Sequence, residues 1–212
     1  MPAEGLVLGT SGNVSARAAG GDGFWVTPSG APYDKMTLAS IVRVDAAGRP
    51  AHRGPKRWRP SSDTPTHAAI YAARHDAGGI VHSHSPHASA FAVARRPIPP
   101  LLLEAAGYLG GEVPVAPYLP PATPDAAQTV ARALAGRAAV LLPNHGVLAV
   151  GETVETALAA AVMVEQSARV AWLAVALGEP HPLPVADIER MYRFLHEEYG
   201  RPADRRRPER GG

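Results

Sequence analysis

Short apolar runs bounded by glycine and proline alternate along the chain with longer stretches of helical spacing, a pattern of strands and helices in mixed order. Residues 13–17 and 24–27 read as the strands of a hairpin across Gly20, Gly21 and Gly23, and residues 41–44 as a third strand. Residues 50–60, with Pro50, Pro55 and Pro60, read as an exposed loop. Thr64 before Pro65 marks the cap and first turn of a helix that ends near Gly78-Gly79, and a buried strand opens at Ile80. Ser85-Pro86 caps the next helix, which runs through Ala88 to Ala94. Residues 98–121 break into short strands and turns, Val113-Pro114-Val115 among them.

A helix over 124–134 follows, then strands at 138–142 and 147–150 around the turn Pro143-Asn144-His145-Gly146. Thr153 caps a long helix that stops at Gly178, and its stripe of Ala157, Ala161, Val164, Ala168, Ala171 and Val175 is predicted to face the sheet. Residues 187–198 form a last amphipathic helix.

Composition narrows the class. At 212 residues the chain suits one domain over 1–200, followed by a flexible tail, 201–212, in which Arg201, Arg205, Arg206, Arg207 and Arg210 cluster. Lys+Arg 21 against Asp+Glu 19 leaves a charge of +2, so nothing in the bulk demands nucleic acid. With no cysteine, disulfides and thiolate ligands are excluded, and any metal must be held by histidine and carboxylate. Residues 1–10 lack a basic stretch before an apolar run, and no window is expected to reach the length of a membrane span. The chain reads as cytoplasmic, with no membrane partner.

Candidate chemistry centres on His82-Ser83-His84. Side chains alternate along a strand, so both histidines project from one face of the strand that starts at Ile80. The pair fits either a polar exposed turn or half of a site for a borderline-soft cation such as Zn²⁺. His145, in a tight turn between apolar strands, can complete three ligands with a fourth position left open. Asp63 is the carboxylate placed to approach, because its helix leads into the His82 strand. His67 and His87 lie within a helical turn of the site, whereas His52, His75, His181 and His196 fit the surface. The turns Thr10-Ser11-Gly12-Asn13 and Thr27-Pro28-Ser29-Gly30, and the Ser61-Ser62-Asp63 stretch ahead of a helix N-terminus, offer donors of the kind that hold phosphate.

Five stretches in order, Gly12-Asn13-Val14-Ser15-Ala16-Arg17, Thr27 to Lys35, Ser61-Ser62-Asp63, His82-Ser83-His84 and His145-Gly146, resemble the class II aldolase/adducin superfamily, and within it the L-fuculose-1-phosphate aldolases. The resemblance runs from about Gly9 to Tyr199-Gly200. It implies an α/β fold of α+β type, with a central, mainly antiparallel sheet flanked by helices, and a homotetramer with active sites at subunit boundaries. It also implies one Zn²⁺ per subunit on His82, His84 and His145, and a phosphorylated ketose whose phosphate is held by Asn13, Ser29, Gly30, Ser61 and Ser62. Asp63 takes the place of a glutamate that both binds metal and transfers a proton, and Tyr199 matches a tyrosine that closes over the substrate.

Departures from the family pattern leave the proton donor open. The Ser-Ser-Asp-Thr-Pro-Thr-His wording is closer to L-ribulose-5-phosphate 4-epimerase, yet Gly107 falls where that enzyme has its catalytic aspartate. The aldolase's acid tyrosine falls on Leu103, so Tyr108 or Glu104 is expected to substitute. The family's opening helix of about five turns needs about 20 residues before Gly9, so this start is expected to be truncated or packed differently. The expectation is an aldolase, with the epimerase and a non-catalytic adducin-like module as alternatives. Residues 101–109, alone or with another subunit, are expected to shape the pocket for the aldehyde end.

Overall fold

The computed structural model describes residues 1–51, 58–120 and 123–200; the predicted tail at 201–212 lies outside them, as does most of the predicted 50–60 loop, His52 included. The strands are β1 (Asn13–Arg17), β2 (Gly23–Val26), β3 (Val42–Asp45), β4 (Gly79–Ser83), β5 (Ala139–Leu142) and β6 (Gly146–Gly151). They form one sheet in the order β3-β2-β1-β4-β6-β5, every neighbouring pair antiparallel. The helices are α1 (Thr64–Ala73), α2 (Pro86–Ala94), α3 (Leu103–Leu109), α4 (Pro124–Ala133), α5 (Val154–Leu177) and α6 (Val185–Arg193).

Helices cover both faces of the sheet, which is why β4, β5 and β6 read as unbroken apolar runs. Val81, Leu141, Val147 and Ala149 face the layer of α2, α3 and α5. Ile80, Val140, Leu148 and Val150 face α1 and α4, together with Phe24, Val26 and Val44. His82 follows Ile80 by two residues, so its side chain leaves β4 on the α1 side, where Asp63 waits. Each Ile, Leu or Val closed between these layers contributes about 1.5–3 kcal/mol. The bend that carries the two histidines is thus anchored in the driest part of the molecule.

Several sequence expectations shift. The segment read as strands and turns contains α3, a seven-residue helix with Gly107 inside it and Gly110 (φ 68) ending it, too short to show a period. Single bridges pair Ile98 with Val113 and Val115 with Leu141, so the short-strand reading holds on either side of it. Helix α1 begins one residue earlier than expected, with Asp63 at the cap position. Helix α6 starts at Val185 and passes into a wider turn over Phe194–Glu198.

In α5 the predicted stripe is buried from Ala157 to Ala171, whereas Val175 lies beyond the sheet and is exposed. By length and composition α5, 24 residues with a window of mean hydropathy 1.3, is long and apolar enough to cross a membrane, contrary to the reading of the sequence. Here it is the core helix of the sheet, packed on β4 and β6. At the N-terminus a short turn over Pro2–Glu4 leads to Leu6, which is buried and whose carbonyl accepts the His84 N–H at 3.0 Å.

Candidate active site

His82, His84 and His145 converge where β4 ends and β6 begins, with one nitrogen from each lying within 4.8 Å of the others. The His82 Nδ1–H donates to the Val147 carbonyl at 2.9 Å, which leaves the Nε2 lone pair aimed at its neighbours. That Nε2 is 2.9 Å from His84 Nε2 and 3.3 Å from His145 Nε2. Facing lone pairs at such distances repel unless a proton or cation lies among them. Two nitrogens bound tetrahedrally to Zn²⁺ at 2.0–2.1 Å sit about 3.3 Å apart, so the donor set fits a small divalent cation. The close approach of the turn depends on Gly146, where a Cβ would stand 2.2 Å from the Ser83 carbonyl oxygen.

Asp63 stands beside the trio. Its Oδ2 accepts from Asn13 Nδ2 at 2.8 Å and lies 3.7 Å from His82 Nε2. Burial works to raise this carboxyl, but the attraction of His82 and His145 and the Asn13 amide outweigh it, so Asp63 is held below the usual carboxylate range. Burial pushes His82 down to about 3 against the pull of Asp63, and burial with the neighbouring His145 lowers His84 as well. At neutral pH His82 and His84 are therefore neutral and Asp63 is ionised, the protonation states a divalent metal requires of its ligands. His67, one helical turn beyond Asp63, does not reach the trio; its Nδ1 shares a hydrogen bond with Ser15 Oγ at 2.7 Å, and Ser15 Oγ meets Tyr71 OH at 2.9 Å. His75, His181 and His196 are exposed, as expected.

The residues predicted to hold phosphate come together on the same side. Ser29 N–H donates to Arg59 O at 2.9 Å and Ser61 N–H to Thr27 O at 3.2 Å, laying the two serine turns side by side. The Val14 N–H donates to Thr27 Oγ1 at 3.0 Å, which ties the Asn13 strand to the same turn. Asn13 is buried with its Oδ1 unpartnered, whereas Ser29, Gly30 and Ser62 are exposed. The result is an open bed of donors running up to Asp63.

Neither expected tyrosine reaches the histidines. Tyr108 lines a cleft of about 660 Å³ with Ala138, Val150 and Gly151, at the opposite end of β6 from His145. Tyr199 is exposed beside Phe194, and Glu104 is exposed on α3. The wall beside the histidines is formed instead by residues 116–119, Ala126, Val130 and Leu142, around a pocket of about 210 Å³ that also includes Asp63, His82, Asn144 and His145. Residues 101–109 of the same chain do not line this pocket. The apolar residues after Val115 carried the only signal for that wall in the sequence, and they read equally well as core.

The sequence profile of the Class II Aldolase and Adducin N-terminal domain matches residues 1–172, and the chain belongs to that family. With its three converging histidines it falls on the enzyme side of the family, as an aldolase-type lyase. It is 40% identical over 183 residues to an L-fuculose phosphate aldolase of Escherichia coli O6:H1, covering 86% of this chain and 82% of that one. A 5-methylthioribulose-1-phosphate/5-deoxyribulose-1-phosphate aldolase of Rhodospirillum rubrum is 37% identical over 187 residues, with coverages of 88% and 82%. An L-ribulose-5-phosphate 4-epimerase of Salmonella paratyphi B is 34% identical, with coverages of 93% and 90%. A solved L-fuculose 1-phosphate aldolase superposes with a TM-score of 0.83 at 34% identity, over 89% of this chain and 87% of that one.

Proposed function

We propose that this protein is a zinc-dependent, cytoplasmic aldolase that reversibly cleaves a ketose 1-phosphate of the L-fuculose 1-phosphate type to dihydroxyacetone phosphate and an aldehyde. The observation that carries the reading is the trio of imidazole nitrogens beside an ionised Asp63, between an open bed of phosphate donors and a small apolar pocket. His82, His84 and His145 hold the Zn²⁺. When bound, it supplies a Lewis acid for the negative charge that carbon–carbon cleavage leaves on the substrate's oxygens. Asn13, Ser29, Gly30, Ser61 and Ser62 fix the phosphate, and with it the position of the carbons to be parted. Asp63, ionised at neutral pH, takes the proton from the reacting hydroxyl and returns it to the carbon of the dihydroxyacetone phosphate half. Ala116, Pro117, Leu119 and Val130 exclude water from the aldehyde end.

The assembly is a homotetramer with active sites at subunit boundaries. Tyr199, exposed, and Tyr108, in the cleft at the other end of β6, stand away from this chain's own histidines, as residues that close over a neighbour's substrate would. The apolar pocket also favours a second reading of the substrate, a 5-deoxy or 5-methylthio ketose 1-phosphate, whose aldehyde ends in a nonpolar group.

Product analysis tests all of this. The zinc-loaded protein, incubated separately with L-fuculose 1-phosphate, 5-methylthioribulose 1-phosphate and L-ribulose 5-phosphate, is expected to release dihydroxyacetone phosphate from a ketose 1-phosphate. Formation of D-xylulose 5-phosphate without any cleavage would make it an epimerase. No turnover of any of the three, with no zinc retained, would leave only the non-catalytic module.

A further inference from the structure

Helix α2 touches both halves of the histidine trio, one at each end. It begins two residues after His84, and Ser85 occupies its cap position, yet the Ser85 side chain makes no capping hydrogen bond. The cap comes from α5 instead. Glu165 Oε1 accepts from the His87 N–H at 3.1 Å and from His87 Nδ1–H at 2.6 Å, and Oε2 accepts from the Ala88 N–H at 3.0 Å. His87 and Ala88 hold the second and third helical positions, whose N–H groups a local cap would ordinarily satisfy. The carboxylate is largely buried, its side chain 15% exposed, and the helix dipole favours its charge there.

The other end is tied just as firmly. Arg95 closes α2 in a left-handed conformation, φ 58, that a non-glycine residue rarely adopts. Its Nη1 donates to the carbonyls of Ala92 and Val93 at 2.8 and 2.9 Å, and its Nη2 donates to Asn144 Oδ1. Asn144, also left-handed at φ 55, is the residue before His145. One nine-residue helix thus bridges the bend that carries His84 and the turn that carries His145. Neither Glu165 nor Arg95 lines the pocket at the trio.

We propose that α2 is the spacer that sets the separation of His84 from His145, and that Glu165 and Arg95 are positioning residues of the metal site. Glu165 fixes the entry of the helix, and with it the bend after β4. Arg95 holds the Asn144 amide, and with it the backbone that presents the His145 ring. The inference rests on the reading of the trio as a metal site, and its test separates the two. Outer partners that orient metal ligands commonly change affinity 10- to 100-fold when removed.

Purified metal-free protein is titrated with Zn²⁺ against a chromophoric chelator and with Co²⁺ by its visible absorption, alongside its urea midpoint. Glu165→Ala and Arg95→Ala are each expected to weaken both metals by at least about 10-fold and to alter the Co²⁺ band. Glu165→Gln, which keeps an acceptor oxygen for the helix N–H groups, is expected to recover most of the affinity. Should Arg95→Ala fail to fold, Asn144→Gly cuts the same tie while tolerating the left-handed backbone, and it must weaken the metals too. Metal affinity and Co²⁺ spectrum unchanged while the urea midpoint falls would reduce both residues to ordinary braces of the fold and overturn the proposal. Failure of the unmodified protein to bind either metal would overturn the metal site itself, and the proposal with it.

Discussion

The two ends of the β4–β6 pair are four residues apart along either strand and solve opposite problems. At the end holding His82 and Val147, the sheet opens, and the imidazoles of His82, His84 and His145 face one another within 4.8 Å. At the end holding Gly79 and Gly151, the sheet is closed by backbone against backbone. A Cβ on Gly79 would lie 2.5 Å from both the Thr153 oxygen and the Val154 nitrogen, and one on Gly151 would lie 2.4 Å from the Ala157 nitrogen. The start of α5 is therefore seated directly on the strands, with no side chain between. One end accepts the electrostatic cost of crowding three imidazoles and a carboxylate together, and the other supplies the rigidity that lets it do so.

The contrast is broken most severely at the histidine end by His84→Ala. Removing one of three ligands is expected to abolish stoichiometric zinc binding and to lower turnover by more than about 10³-fold. The urea midpoint of the metal-free protein is expected to change little, because the substitution relieves crowding among facing imidazoles. Full zinc occupancy in this variant would remove His84 from the ligand set. The next largest effect lies at the other end. Gly79→Ala forces a methyl into backbone atoms that cannot move away, at a cost of about 3 kcal/mol. For a domain of this size that corresponds to a fall in Tm of about 6–12 °C. Zinc affinity of the folded protein should stay unchanged. A Gly79→Ala variant that kept its Tm and lost its metal would erase the distinction between the two ends.

How much of this was legible in the chain depends on the range of the interaction. The His-Ser-His step reads directly, because strand periodicity puts both rings on one face and the apolar run before it announces burial. Asp63 reads almost as well, since α1 leads straight into β4. Glu165 does not. It sits in mid-helix between Val164 and Gln166, far from the acidic first turn at Glu155, and the N–H groups it caps lie 78 and 77 positions away. Capping is read locally, so Ser85 took the role on paper while a distant carboxylate performs it in the fold. The missed α3 has another cause. It lies in the stretch from Ile98 to Pro120, where prolines and glycines interrupt every period before it can repeat.

The smallest effect also discriminates between the ends, through pH. His67 is wholly buried, with Nδ1 bonded to Ser15 and Nε2 unpartnered, and burial pushes it down to about 4 against the opposing charge of Asp63. In the unfolded chain a histidine titrates near 6.5. Above that pH neither state binds the proton, and His67 has no effect on stability. As the pH falls from about 6.5 towards 4, the unfolded chain takes up a proton that the folded protein refuses, so stability drops by about 1.4 kcal/mol per pH unit for this one group. His82, pushed lower still by burial, acts in the same direction over the same range, whereas Asp63 titrates below it. Urea midpoints of the metal-free protein at pH 7.5 and 5.0 should thus differ markedly, and His67→Gln should remove a substantial part of that difference, the rest falling to His82 and His84. Gly79→Ala should lower both midpoints equally, because its methyl meets only the backbone of Thr153 and Val154. A His67→Gln protein with an undiminished pH difference would show that the acid sensitivity resides in the metal-site histidines alone.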